Sequence, residues 1–334
     1  MNIQSLQATD AELGSDWAMY LGDCAEVVKQ LPDRSVDFSV YSPPFANLYT
    51  YSDSERDMGN CEDDAEFMRH YEFMVRELYR VLRPGRLVAV HCKDLVNYKG
   101  RDGMAGLRDF PGEIIRCHLA AGFSYHSRVT IWKCPVTEMQ RTKAHGLLWK
   151  QVRKDSTFSR QGLAEYVLVF RKWADAEGTD VVPVKHTMAE FPLDRWQQWA
   201  SPVWDDSAGL DVEHGIVRRV RAALNLLREQ LQVGQVWKDI NQTDVLNTAR
   251  AREDRDSKHM CPLQLDLIER CVGLWSNPGD IVLSPFAGVG SEGVVSLQQG
   301  RKFVGIELKR SYFNDAVANL KAALKQQDLF GEAV

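Results

Sequence analysis

The stretch that most constrains this chain is Asp280-Ile281-Val282-Leu283-Ser284-Pro285-Phe286-Ala287-Gly288-Val289-Gly290, a short apolar run that stops in a glycine-rich turn. Residues patterned as a helix follow from Ser291 to Gln299, and then a second apolar run from Phe303 to Ile306. Strand, tight turn, helix and strand in that order is the unit of a parallel sheet. Its turn brings backbone N–H groups and a helix N-terminus toward whatever lies above the strand ends. The rest of the chain must supply further strands on which this unit can pack.

It does so on both sides. Trp17 to Leu21 and Val36 to Val40 read as buried strands, the second running into Ser42-Pro43-Pro44-Phe45. A helix is expected from Ala65 to Leu82, with Phe67, Tyr71, Met74, Leu78 and Leu82 at spacings of three and four, stopped by Pro84-Gly85. Leu87 to Val90 is the next strand, Pro111 to Ala121 a short helix, and Val129 to Trp132 and Tyr166 to Phe170 two strands that can pair antiparallel. The rhythm resumes with helices at Pro262 to Trp275 and Tyr312 to Leu324. The fold expected is α/β, a doubly wound and mostly parallel Rossmann-like sheet. Its parts are 1–173, a central region 174–257 that lacks the rhythm and is rich in Asp, Gln and Trp, and 258–334.

With 334 residues, 44% hydrophobic and 26% charged, the chain can bury one large core. No run approaches the roughly 18 apolar residues of a membrane span, and residues 1–10 lack a basic start and an apolar secretory core, so a cytoplasmic protein is expected. The seven cysteines are scattered, with no C-x-x-C spacing, so neither a disulfide framework nor a zinc site is expected. The adjacent pairs His91-Cys92 and Cys117-His118 diverge on a strand or helix and read as structural. The net charge of −5 is uneven: between Met139 and Lys172 stand Arg141, Lys143, Lys150, Arg153, Lys154, Arg160, Arg171 and Lys172, against Asp155 and Glu165. Such an excess can meet phosphates, although alone it reads as a solvated loop.

Every strand-end motif converges on one cleft, because ligands of doubly wound sheets bind beyond the carboxyl ends of the strands. Gly288 and Gly290 let a backbone approach a ligand closely, and Glu307, ending the next strand, can accept hydrogen bonds from both hydroxyls of a ribose. A plain turn and a nicotinamide dehydrogenase are the competing readings, the latter helped by Gly293. Ser42-Pro43-Pro44-Phe45 separates them. It offers a hydroxyl, a carbonyl stiffened by tandem prolines, and an aromatic face. Asp23, following the first strand, is as readily a helix N-cap as a ligand group.

These residues resemble the β-class, circularly permuted DNA amino-methyltransferases of phages and bacteria over Trp17 to Phe170 and Ser257 to Leu324. The resemblance implies that Ser42, Pro43, Pro44 and Phe45 are catalytic. It also implies that Asp23, Pro262, Phe286, Gly288, Gly290 and Glu307 hold S-adenosylmethionine, with the segment Lys258 to Pro262 closing over its methionine end. Ser284 departs from the aspartate often found before Pro-Phe in that family. The implied partner is double-stranded DNA, met by Arg141, Lys143, Arg153 and Lys154 and read by region 174–257, with a flipped base methylated on its amino nitrogen. Serine at the head of the tetrapeptide favours cytosine N4 over adenine N6. A cytosine-C5 mechanism is disfavoured because Cys134-Pro135 and Cys261-Pro262 have the wrong residue order for it. An RNA amino-methyltransferase and an inactive DNA-binding protein are the remaining alternatives. A cognate restriction endonuclease and the oligomeric state are left open.

Overall fold

The computed structural model describes residues 8–45, 57–135, 149–159, 162–174, 181–200, 202–204, 244–246 and 262–331. Its strands are β1 (Asp10–Leu13), β2 (Trp17–Leu21), β3 (Val36–Tyr41), β4 (Leu82–Cys92), β5 (Leu95–Asn97), β6 (Gly106–Arg108), β7 (Ser124–Ile131), β8 (Glu165–Arg171), β9 (Val203–Trp204), β10 (Ile281–Ser284) and β11 (Lys302–Glu307). The helices are α1 (Cys24–Gln30), α2 (Asp64–Val81), α3 (Lys99–Asp102), α4 (Phe110–Ala120), α5 (Trp149–Lys154), α6 (Leu193–Trp199), α7 (Leu265–Trp275), α8 (Ser291–Gln298) and α9 (Arg310–Gly331).

Nine strands form one sheet in the order β1-β2-β11-β10-β3-β4-β8-β7-β9. Strands β2, β11, β10, β3 and β4 run parallel, and β8 is antiparallel to both β4 and β7. The doubly wound α/β sheet and the antiparallel pair expected from the sequence are both present. The chain goes outward from β3 to β4 and later returns to insert β10 and β11 between β3 and β2. The winding therefore reverses at the β3/β10 neighbours, and a crevice opens above their carboxyl ends.

Strand alternation divides the core into two layers. Val88, Val90 and Cys92 of β4 and Leu168 and Phe170 of β8 face α2 and α4, packing with Phe67, Tyr71, Met74, Leu78 and Ile114. Ala89, Val167 and Val169 face the other way, toward Leu267, Ile268 and Cys271 of α7 and Phe313, Ala316 and Leu320 of α9. Helix α2 is started by Asp63, whose carboxylate accepts from the Glu66 N–H at 2.7 Å. It ends at Val81, and Leu82 already opens β4, so Pro84 and Gly85 lie inside an irregular strand. The sequence reading places the stop at Pro84-Gly85 itself. Proline disfavours helix at the residue before it, and the last turn of α2 finds its partner elsewhere: buried Lys172 donates to the carbonyls of Tyr79 and Leu82 at 2.6 and 2.9 Å. Lys172 is therefore structural, not part of a phosphate-facing excess.

Residues 181–200 run along the α7 side of this body. The Lys185 N–H donates to Asn277 Oδ1 at 2.9 Å, the Asn277 amide donates to the Pro183 carbonyl at 3.1 Å, and β9 extends the sheet parallel to β7. Among the described residues no helix is long and apolar enough to cross a membrane.

At the end of the sheet opposite the crevice, Arg86, 2% exposed, joins three strands. Its guanidinium donates to Asp280 Oδ2 at 2.9 Å, just ahead of β10, and to Asp37 Oδ1 on β3 at 3.4 Å, while Asp37 Oδ2 accepts the Ile281 N–H at 3.0 Å. Removing one member of a buried ionic cluster leaves the others uncompensated. Arg86→Met is expected to lose about 3 kcal/mol of stability by urea unfolding; a loss below about 0.5 kcal/mol, the scale of a surface change, would contradict this account.

Candidate active site

A cavity of about 210 Å³ occupies the crevice. It is lined from the ends of β2 (Asp23), β11 (Glu307), β10 (Pro285 to Val289), β3 (Ser42 to Phe45) and β4 (His91, Lys93), and from Glu165 at the start of β8. Strand ends more than two hundred residues apart, Ser42 to Phe45 and Pro285 to Val289, therefore share one chamber.

The half next to β10 and β11 suits a nucleoside. Gly288 has φ +53, and an added Cβ would meet nothing within 4 Å, so its backbone borders open space. The Gly288 N–H donates to Glu307 Oε2 at 2.9 Å and the Lys309 N–H to Oε1 at 2.8 Å, which leaves each carboxylate oxygen further acceptor capacity toward the cavity. Burial pushes the Glu307 carboxyl up to about 7, against these two hydrogen bonds. It pushes Glu292, in the first turn of α8, up to about 8. Ser291, also on the cavity wall, has a buried hydroxyl with no partner among the described residues. The Ser284 hydroxyl is likewise buried and without a partner, but Ser284 is not among the cavity-lining residues. Phe286 lines the chamber and packs on Tyr41 at 5.7 Å. Pro262 lies on the wall with Leu263 and Gln264. Lys258 to Cys261 lie outside the described residues.

Two expected site residues also have structural partners. Asp23 is a helix N-cap: its carboxylate accepts from the Ala25 N–H at 2.9 Å, and it borders the cavity in that role. Gly290 has φ +85 and sits below the loop, where a Cβ would lie 3.1 Å from that of Ala316. It serves the turn and the contact with α9, outside the cavity lining, so a bulky residue there would disturb the packing of α9 before it filled ligand space.

On the β3 side, Ser42, Pro43 and Pro44 line the wall, and Phe45 packs edge-on against Phe110 at 6.2 Å with the Lys93 ammonium 5.9 Å from its ring centre. The sequence reading does not anticipate what stands behind Ser42. Its hydroxyl is 3.2 Å from His91 Nδ1, and His91 Nε2 is 3.1 Å from Glu165 Oε2. The same Glu165 oxygen pairs with the Lys133 ammonium at 2.7 Å. Burial alone would raise the Glu165 carboxyl, but Lys133 and the His91 hydrogen bond outweigh it and hold the group well below the usual carboxylate range. His91 is thus part of the site, not an incidental neighbour of Cys92: alternation sends Cys92 into the core and His91 into the cavity.

Of the basic residues singled out, Arg153 and Lys154 end α5, both exposed, beside Trp149 (74% exposed) and Phe158 (67%). Arg141 and Lys143 lie outside the described residues. The segment between β7 and β8 that carries α5 leaves and returns beside the Lys133–Glu165 pair, so it springs from the rim of the cavity.

Residues 36–318 match the N6/N4 methyltransferase family, described as DNA methylase. The type II methyltransferase M.BglII of Bacillus subtilis is 23% identical over 299 residues, 89% of this chain and 67% of that protein. The DNA adenine methyltransferase YhdJ of Escherichia coli (strain K12) is 46% identical over 57 residues, 17% of this chain and 19% of that one. The chain thus spans about two thirds of the length of the first relative and matches the second only locally. Among solved structures, TTHA0409 of Thermus thermophilus, assigned as a DNA modification methylase and complexed with S-adenosyl-L-methionine, superposes with a TM-score of 0.60 at 20% identity, covering 91% of this chain and 93% of that one.

The carboxyl of Glu292 titrates near 4.5 when unfolded and near 8 in the native cavity, so the folded state keeps a proton that the unfolded chain releases. Native stability is then lost as pH rises through that window. Glu292→Gln should leave stability unchanged at pH 4.5 and raise it by roughly 2 kcal/mol or more at pH 8. Urea midpoints at the two pH values check this, and parallel curves for both proteins would refute it.

Proposed function

This chain belongs to the N6/N4 DNA methylase family, and from that premise we propose that it moves a methyl group from S-adenosylmethionine to the exocyclic amino nitrogen of a base flipped out of duplex DNA, cytosine N4 in particular. The observation that carries the reading is the shared chamber: Ser42-Pro43-Pro44-Phe45 after β3 and the glycine loop after β10 lie at neighbouring strand ends.

The residues present fit the cofactor. Glu307 offers a carboxylate edge for ribose hydroxyls, Gly288 an open backbone, Ser291 an unpartnered hydroxyl, and Asp23 and Phe286 border the same space. When bound, S-adenosylmethionine supplies an electrophilic methyl group on a sulfonium, the C–S electron pair returning to sulfur as the new N–C bond forms. The chain's own residues supply the nucleophile's geometry. An exocyclic amino nitrogen is weakly nucleophilic because its lone pair is shared with the ring. Accepting its two N–H bonds at the Ser42 hydroxyl and the Pro43 carbonyl favours a tetrahedral nitrogen, whose lone pair is then free to attack. Pro43 and Pro44 fix that carbonyl through their locked φ angles, and Phe45 offers a face on which the base can stack.

The order of motifs, catalytic tetrapeptide first and cofactor loop last, supports the circularly permuted β class. Within it we read 1–173 and 258–334 as the catalytic body and 174–257 as the target-recognition region. Double-stranded DNA is the partner and the cytoplasm the compartment in this reading. Adenine N6 is the second reading, favoured by the local match to an adenine methyltransferase. The preference for cytosine comes from the resemblance alone, in which a serine at the head of the tetrapeptide more often accompanies cytosine N4 targets.

Digestion of methylated DNA to nucleosides and mass spectrometry is expected to give N4-methylcytosine; N6-methyladenine alone would reassign the base. Ser42→Ala should lower single-turnover transfer by at least roughly 10²-fold while DNA affinity is kept, because the missing hydrogen bond acts on the transition state. Wild-type rates in that variant would remove the tetrapeptide from the mechanism. Double charge reversal at Arg153 and Lys154 should weaken DNA binding and reduce the slope of log affinity against log salt by about 0.9 for each phosphate no longer neutralised. An unchanged slope would take α5 out of the DNA interface.

A further inference from the structure

Behind Ser42 the structure holds a row of groups that the proposed reaction has not yet used: His91, Glu165 and Lys133. Resting on the amino-methyltransferase reading, we propose that His91 is a positioning residue that takes the proton of the Ser42 hydroxyl, so that Ser42 can take the one leaving the methylated amino nitrogen.

The direction of the hydrogen bonds follows from chemistry. Glu165 is an ionised carboxylate paired with Lys133, so it only accepts, and the His91 Nε2 facing it at 3.1 Å must carry a hydrogen. In the neutral ring Nδ1 is then an acceptor. The Ser42 hydroxyl, 3.2 Å away, donates its hydrogen to Nδ1 and turns its lone pairs to the cavity. That polarity is what an amino N–H needs from its partner.

The proton count closes along the same row. An amino nitrogen that has gained a methyl group carries one proton too many. It gives that proton to Ser42 Oγ, whose own proton passes to His91 Nδ1. The resulting imidazolium faces the Glu165 carboxylate and later returns the proton to solvent through Ser42 when the product leaves. No oxidant or further reactant is needed. Lys133 works at one remove: by pairing with the same Glu165 oxygen that meets Nε2, it keeps that carboxylate charged and in place.

The arrangement is built rather than incidental. His91 is 7% exposed, Glu165 7% and Lys133 8%, and three separate parts of the chain supply them: β4 the His, β8 the Glu, and the segment after β7 the Lys. Among the described residues the ring is faced by Ser42 from the end of β3 and Glu165 from β8, with Lys93, just past the end of β4, adding positive charge near Glu165. Glu292 and Glu307 line the same cavity, their carboxyls raised by burial to about 8 and about 7, so their effect on cofactor binding has to be separated from that of His91.

Two measurements test this. The first needs no activity: 15N NMR of histidine-labelled full-length protein, with the His91 signals identified by their disappearance in His91→Gln. It should show the neutral Nε2–H tautomer with Nδ1 as acceptor, and Glu165→Gln should mix the tautomers. A pure Nδ1–H ring in the wild type would overturn the proposal, as would no change in Glu165→Gln. The second is the single-turnover rate against pH at saturating cofactor and DNA, which removes the binding contributions of Glu292 and Glu307. The wild type should lose rate on the acid side as His91 becomes charged. His91→Gln should be slower by about 10²-fold and lose that acid limb; Glu165→Gln should be slowed less, with the limb displaced. His91→Gln with the wild-type profile would overturn the proposal even if the protein methylates DNA. No transfer by the wild type to any DNA, alongside the expected tautomer, would overturn the methyltransferase reading on which the relay rests.

Discussion

The structure depends on the pairing of β3 with β10, two strands that come from opposite parts of the chain. Only two residue pairs register between them, Val282 with Phe38 and Leu283 with Ser39, and the buried Ser39 hydroxyl adds a hydrogen bond to the Leu283 carbonyl at 2.8 Å. A contact of that sequence separation has to overcome a large loop-closure entropy. The Arg86 cluster completes it, since Asp37 accepts both from Arg86 and from the first N–H of β10. Buried ion pairs are poor sources of net stability against apolar packing, but they admit few alternative arrangements. Placed at the amino ends of the parallel strands, this cluster fixes the register there and leaves the carboxyl ends free for chemistry.

That register decides what the crevice contains. Had β10 entered beside another strand, the glycine loop and Ser42 would not share a wall. The crevice in turn sorts its acids. Glu292 is buried and Glu307 half-buried, neither has a cationic partner among the described residues, and both rise toward neutrality, whereas the buried Glu165 is held low by Lys133. One cavity therefore offers carboxyls that can exchange a proton near neutral pH on the cofactor side and a fixed negative charge on the side of Ser42, a separation made by environment rather than by residue type.

Much of this is legible in the sequence because it rests on local physics. The runs at Trp17 to Leu21 and Ile281 to Leu283, the spacing of Phe67, Tyr71, Met74 and Leu78, and the turn at Gly288 and Gly290 each specify an element without reference to the rest of the fold. What escapes a sequence reading depends on interactions between distant residues. His91 looks like half of an unpromising His-Cys pair. Only its place at the end of a parallel strand next to β3, with Glu165 opposite, gives it a partner on each ring nitrogen. Glu165 does leave a trace, as a charged residue opening the otherwise apolar strand Glu165 to Phe170, yet by sequence it is only one of two negative charges in a basic stretch. Lys172 misleads for the same reason, since its tertiary role is to cap α2 from another strand. Asp23 and Gly290 show the converse: beside the ligand role that the sequence suggests, the fold gives the one a helix N-cap and the other a packing contact with α9.

The hydroxyl of Ser42 also bears on which base the crevice can accept. A serine is attractive for cytosine because its hydroxyl can accept from the amino group and also donate to the ring nitrogen beside it, which an ionised aspartate cannot do. In the arrangement around His91 that proton is already committed to Nδ1, so Ser42 meets the amino group as an acceptor alone, as an aspartate would. Cytosine N3 and adenine N1 are then equally unserved by Ser42. On the proposed reading, discrimination between the two bases falls to other groups on the wall, among them the Lys93 ammonium near the Phe45 ring, a donor that the O2 of cytosine could use and adenine could not. The chemistry of the methyl transfer and the choice of base thus rest on different residues of the same cavity.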